Sequence, residues 1–206
     1  MPQRLLRFAL LAAFMFHLPS PLYAVPVFLD FESLSDGDAV AGLLGPDVTF
    51  SNATIAAAGI SLNELDFPPS SGSNVVVDVG GPMRLDFTGP VSSFSGFFTY
   101  VSPLTIQFFD SSANLLGEVV SLFTSNTASG GGGLPNELLS GAFAGTAFLT
   151  ITGAELGGSF TLDDVLFETT DINPVPEPST LVLLGSGVVA LMRYHQRAGR
   201  RHRATI

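Results

Sequence analysis

Seventeen carboxylates and a single base, Arg84, lie between Val25 and Ile172, and the whole chain has neither lysine nor cysteine. Carboxylates at that density can ligate divalent cations, and two at a suitable separation can act as acid and base on a glycosidic bond. With so many acids some pair always stands available, so pairing alone selects no reaction. Asp36-Gly37-Asp38 and Glu64-Leu65-Asp66 read as loop acids. Histidine occurs only at His17, His195 and His202, near the two ends of the chain. The stretch between therefore excludes a Ser–His or Cys–His nucleophile and a His-ligated zinc. Its net charge of −16 excludes binding of nucleic acid or anionic lipid through a basic face. Divalent cations suit that field; a merely solvated acidic surface is the competing reading.

The elements that must carry these acids have the period of strands. Val27, Leu29 and Phe31 alternate with Phe28, Asp30 and Glu32. Val48–Phe50, Ala53–Ala58, Asn74–Val79, Arg84–Thr88, Phe94–Val101, Leu104–Asp110, Gly117–Phe123, Ala147–Thr152 and Ser159–Phe167 continue the series. These runs are rich in Val, Ile, Thr and Phe and are separated by Gly, Pro, Asn and Ser. No helical period appears among them. Evenly spaced short strands predict one all-β domain over residues 25–172, an antiparallel β-sandwich long enough to build its core without disulfides. Gly130-Gly131-Gly132-Gly133-Leu134-Pro135 reads as a flexible loop or a lid, and the sequon Asn52-Ala53-Thr54 as a strand edge.

Both ends read as targeting segments. Arg4 and Arg7 precede the apolar stretch Phe8–Leu18, and Leu22-Tyr23-Ala24 offers a small residue for cleavage. Residues 1–24 are therefore expected to be a signal peptide, with a retained anchor as the alternative. At the other end, residues 173–206 hold Val175-Pro176-Glu177-Pro178-Ser179-Thr180, an apolar run to Met192, and Arg193, Arg197, Arg200, Arg201 and Arg203. Prolines without amide donors hold the approach extended. Residues 180–192 form an expected membrane helix that is short against the roughly 20 residues a full span needs. The arginines stop it on the cytoplasmic side. A helix that closes the domain is the alternative, opposed by the lack of any polar face.

At Pro176-Glu177-Pro178 this tail closely resembles the PEP-CTERM signal of exopolysaccharide-producing Gram-negative bacteria. The resemblance implies an exosortase-type membrane protease as partner and Val175, Pro176, Glu177 and Pro178 as its recognition motif. It also implies an inner-membrane-anchored precursor and a product at the cell surface or in the extracellular matrix.

A second resemblance lies in the terminal strands. Phe28-Leu29-Asp30-Phe31-Glu32 and Phe160-Thr161-Leu162-Asp163-Asp164-Val165 look like the ends of carbohydrate-binding-type jelly rolls, whose first and last strands lie side by side. Phe67-Pro68-Pro69-Ser70-Ser71-Gly72-Ser73-Asn74 resembles loops of uncharacterised PEP-CTERM proteins. In the jelly rolls, acids of the two terminal strands often hold a structural calcium. The resemblance thus implies Glu32, Asp163 and Asp164 as calcium ligands. Alternation sends Asp163 and Asp164 to opposite faces, so one of them ligates, and Asp30, sharing parity with Glu32, faces solvent. The competing reading has these acids capping strand ends and binding backbone amides.

Sugar stacking normally uses exposed Trp or Tyr, whereas this domain has no Trp and only Tyr100, and its phenylalanines read as core. The expected protein is an exported, non-enzymatic matrix or surface protein associated with extracellular polysaccharide or biofilm. A lectin-like module or glycan-active enzyme on the same fold is the alternative.

Overall fold

Most of the strands form where branched and aromatic residues alternate with polar ones. The computed structural model describes residues 24–130 and 132–170, together with Gly187. Of the expected signal peptide and membrane helix only Ala24 and Gly187 are described; the sorting motif Val175–Pro178 and the arginine stop lie outside the described residues. Among the described residues no helix is long and apolar enough to cross a membrane. Tyr23–Asp171 makes one compact unit.

In chain order the strands are β1 (Ala24–Leu29), β2 (Val48–Ser51), β3 (Ala53–Ala57), β4 (Asn74–Val79) and β5 (Met83–Tyr100). They continue with β6 (Thr105–Phe109), β7 (Leu115–Val120), β8 (Glu137–Gly141), β9 (Thr146–Thr152) and β10 (Gly157–Thr170). Every pairing between them is antiparallel. The fold is an antiparallel β-sandwich, as the strand period predicts, and of the jelly-roll type that the terminal-strand resemblance implies.

Strand β5 belongs to both layers. Its first half pairs with β2 and β9; its second half pairs with β8 and β10. The register breaks between Asp86 and Val91, where Gly89 and Pro90 fall. Proline cannot donate to a ladder, so this is where the strand changes sheets. One layer thus runs β3-β4-β10-β5-β8 with β1 also on β10, and the other runs β2-β5-β9-β6-β7. As the terminal-strand resemblance implies, β1 lies against β10, from Ala24↔Thr170 to Leu29↔Val165.

The core fills from both inner faces. Phe50, Leu85, Phe94, Phe98, Phe108, Leu149, Phe160 and Phe167 are all buried. Several meet edge-on or tilted, among them Phe31 with Phe50 at 6.0 Å and Phe94 with Phe108 at 6.3 Å between centroids. Along β10 the buried positions change phase, from Phe160 and Leu162 to Val165 and Phe167. A bulge at Asp163–Asp164 causes it: the register with β5 shifts between Asp163↔Phe97 and Leu166↔Ser95. Gly96 lies opposite this bulge, and a Cβ there would collide with Leu162.

Two strand expectations need correcting. β8 was not among the predicted runs, because Glu137-Leu138-Leu139-Ser140-Gly141 contains no β-branched or aromatic residue. Its place comes from pairing with β5, not from propensity. β7 starts and ends earlier than the run Gly117–Phe123; beyond it the Ser121 hydroxyl accepts the Leu104 amide and donates to Phe123 O. The glycine-rich loop is also less free than expected. The Gly132 amide donates to Ser125 O at 2.8 Å, and the Asn126 side chain donates to Leu134 O at 3.1 Å.

Candidate functional site

The predicted acids converge on one segment, the strap Phe67–Asn74 between β3 and β4. Asp163, 1% exposed on β10, accepts the amides of Ser70 at 2.8 Å and Ser71 at 3.0 Å through Oδ2. Its Oδ1 accepts the Asp164 amide at 2.8 Å. Asp164 Oδ1 accepts the Ser71 hydroxyl at 2.7 Å. Glu32 Oε1 accepts the amides of Ser73 at 3.0 Å and Asn74 at 2.8 Å, and Oε2 the Ser73 hydroxyl at 3.2 Å. At the strap's other end the Asn136 side chain donates to Pro68 O at 3.1 Å.

Two parity expectations fail here for a backbone reason. Asp163 and Asp164 do not point to opposite faces: both bind Ser71. Asp164 sits at φ 47° inside the bulge, which breaks the alternation of an ordinary strand. Asp30 and Glu32 do not share a strand, because β1 ends at Leu29 and Phe31 takes φ 60° with its ring in the core. Asp30 is exposed, and its carboxylate caps the Glu32 amide at 3.2 Å.

Burial pushes the Asp163 carboxyl up to about 6, and the neighbouring Asp164 charge adds to the rise. The strap amides oppose it, because they favour the ionised form. Near neutral pH Asp163 is therefore largely a carboxylate, as its three N–H donors require.

Hydrogen-bond donors of the strap are the partners that these expected calcium ligands have. Among the described residues no group of three or more His, Cys, Asp or Glu stands together as a metal site. Asp163 Oδ2 and Glu32 Oε1 each face two strap amide hydrogens. The geometry is that of acids capping a loop. The acids of the loop pairs act likewise: Asp36 accepts the Ala57 amide at 2.8 Å and the Ser61 hydroxyl, and Asp66 accepts from the Asn63 side chain at 2.8 Å.

A second constellation escaped the sequence reading. On the outer face of the β2-β5-β9-β6-β7 layer, Arg84 and Asp86 project from β5, Phe148 from β9 and Phe109 from β6. Arg84 Nε and Nη2 hold Asp86 in a forked pair, with Nη2 2.6 Å from Oδ1. The guanidinium lies over the Phe148 ring, 3.7 Å from its centroid. Phe148 in turn stacks on Phe109 at 4.8 Å with an 11° interplanar angle. Thr150 and Gln107 occupy the adjoining register row between Arg84 and Glu118. The expectation that the phenylalanines are all core thus fails for this half-buried pair and for Phe28, 59% exposed on β1, while Tyr100, the one tyrosine of the domain, is fully buried. Alternation could have turned Phe148 away from buried Leu149 and Ile151; nothing in it brings Phe148 opposite Phe109.

Comparison with known proteins locates the tail. Residues 174–197 match the family of the PEP-CTERM protein-sorting motif. No curated protein matches the chain. Among solved structures, the K1 cleaved adhesin domain of Lys-gingipain from Porphyromonas gingivalis W83 is similar at 13% identity and a TM-score of 0.41, over 70% of this chain and 98% of that one. A DUF4465 family protein from Bacteroides caccae is similar at 10% identity and a TM-score of 0.44, over 69% and 98%. The CBM22-1 xylan-binding domain of Paenibacillus barcinonensis Xyn10C is similar at 10% identity and a TM-score of 0.39, over 74% and 98%. Residues 174–197 are a PEP-CTERM protein-sorting motif, the signal of an exported protein anchored through its C-terminus until an exosortase processes it.

Proposed function

We propose that the protein is a non-enzymatic cell-surface or extracellular-matrix component of a Gram-negative bacterium, displayed after tail processing and associated with exopolysaccharide or biofilm. The observation that carries the reading is the sorting motif at residues 174–197, downstream of a single acidic sandwich. The processing step is tested by mass spectrometry of the exported product. A chain ending near Pro176–Pro178 is expected where exosortase is active; a product that still runs through Met192 there would overturn the sorting step.

A second reading, glycan binding by the sandwich, is favoured by the Arg84–Phe148–Phe109 stack among polar neighbours. Aromatic side chains with a few placed polar groups are the ordinary chemistry of sugar recognition. Pull-down of the processed protein with the producer's own polysaccharide tests it. Retention that falls in Phe109→Ala and Phe148→Ala places the ligand on this face. Retention unchanged in both variants removes the stack from the binding site.

A further inference from the structure

The strap Phe67–Asn74 supplies from within the chain what a bound cation would supply from outside. We propose that the terminal strands are locked by a metal-free clasp, in which strap amides and hydroxyls replace calcium as the counter-charge to Glu32, Asp163 and Asp164.

The backbone is shaped for this role. Pro68 and Pro69 have no amide hydrogen, so after Phe67, whose amide donates to Asn63 O, the strap's next amide donor is Ser70. The four amides of Ser70, Ser71, Ser73 and Asn74 are then all spent on two carboxylates, Asp163 and Glu32. Gly72 between them takes φ +52°, and a Cβ at that position would run into the Glu32 carboxylate. The residue without a side chain is what lets the strap close onto the acid. From the other side, the bulge at Asp163–Asp164 brings two consecutive acids to the strap face.

Charge leaves little alternative. Among the described residues the one base is Arg84, and it is engaged by Asp86 on the other layer. Buried carboxylates without a cationic partner must be met by hydrogen-bond donors, and converging amides form the usual anion-binding concavity. A cation 2.3–2.6 Å from Asp163 Oδ2 or Glu32 Oε1 would crowd the two amide hydrogens that each already accepts. The clasp ties the segment after β1 (Glu32), the central strand β10 (Asp163, Asp164) and the entry to β4 (Asn74) into one unit, with Asn136 before β8 holding the far end.

Thermal melting and amide hydrogen exchange of the processed protein test the proposal in EDTA, calcium and magnesium at equal ionic strength. Calcium and magnesium should give the same midpoint, and the amides of Ser70, Ser71, Ser73 and Asn74 should be protected in EDTA. Glu32→Gln should lose protection by about tenfold at Ser73 and Asn74, and Asp163→Asn at Ser70 and Ser71. Gly72→Ala leaves every carboxylate in place and should loosen the same four amides, so it carries the test if Asp163→Asn does not fold. A calcium-specific rise of several degrees, or amides that become protected only on adding calcium, would overturn the clasp and restore a metal site.

Discussion

The Arg84 guanidinium lies 3.7 Å above the Phe148 ring while its nitrogens grip Asp86. The domain's one base is thus neutralised on the outer face of a sheet and stacked on an aromatic ring, with its side chain 40% exposed. A cation over an aromatic face at such a site is worth about 0.5–1 kcal/mol. Chemical denaturation of Arg84→Ala, Phe148→Ala and the double variant should give a coupling energy of that size. A coupling of zero would mean that the two side chains are neighbours without mutual stabilisation.

Tyr100 gives a spectroscopic readout of the inner face. It is fully buried; its hydroxyl donates to Glu137 and accepts the Phe123 amide at 3.3 Å. Burial first, then the Glu137 hydrogen bond, push its phenol up to about 12. After removal of the signal peptide and the tail it is the one tyrosine left. Absorbance at 295 nm in the processed protein should therefore show no phenolate until the pH approaches 12. A midpoint near 10 with the far-UV spectrum intact would show that water reaches the ring.

Asp163 sets a pH dependence whose sign follows from its displacement. Its folded-state value of about 6 lies above the ordinary 3.8, so the native state binds the proton more tightly than the unfolded chain. The stability it contributes is fully present below about pH 4 and is lost as the pH rises through 6. Against Asp163→Asn, which cannot titrate, the wild-type midpoint should gain on lowering the pH from 8 to 5. Two midpoints that move in parallel over that range would place Asp163 near its ordinary value.

Much of the sandwich was legible because strand alternation is local. Val48 and Phe50 are buried while Thr49 and Ser51 are exposed, as their parity predicts. The sorting motif was legible for the same reason, being a contiguous string of residues. The acids Glu32, Asp163 and Asp164 were legible as a set, because the terminal strands resemble known ends and do pair. Amide binding was the competing reading for them; which amides they bind was not legible, since Ser70 and Ser71 lie some ninety residues before Asp163.

The sequence by itself determined the class of fold, the acidity of the domain and its export, all of which follow from composition, period and a short motif. Tertiary structure alone decided which side chains meet. Asp163 and Asp164 face one strap because a bulge at φ 47° overrides the two-residue period. Phe148 meets Phe109 because β9 and β6 settle in one register, and a slip of one residue in either strand would have turned its ring to the other face. Register and bulges are set by the packing of the whole core, so no window of neighbouring residues contains them.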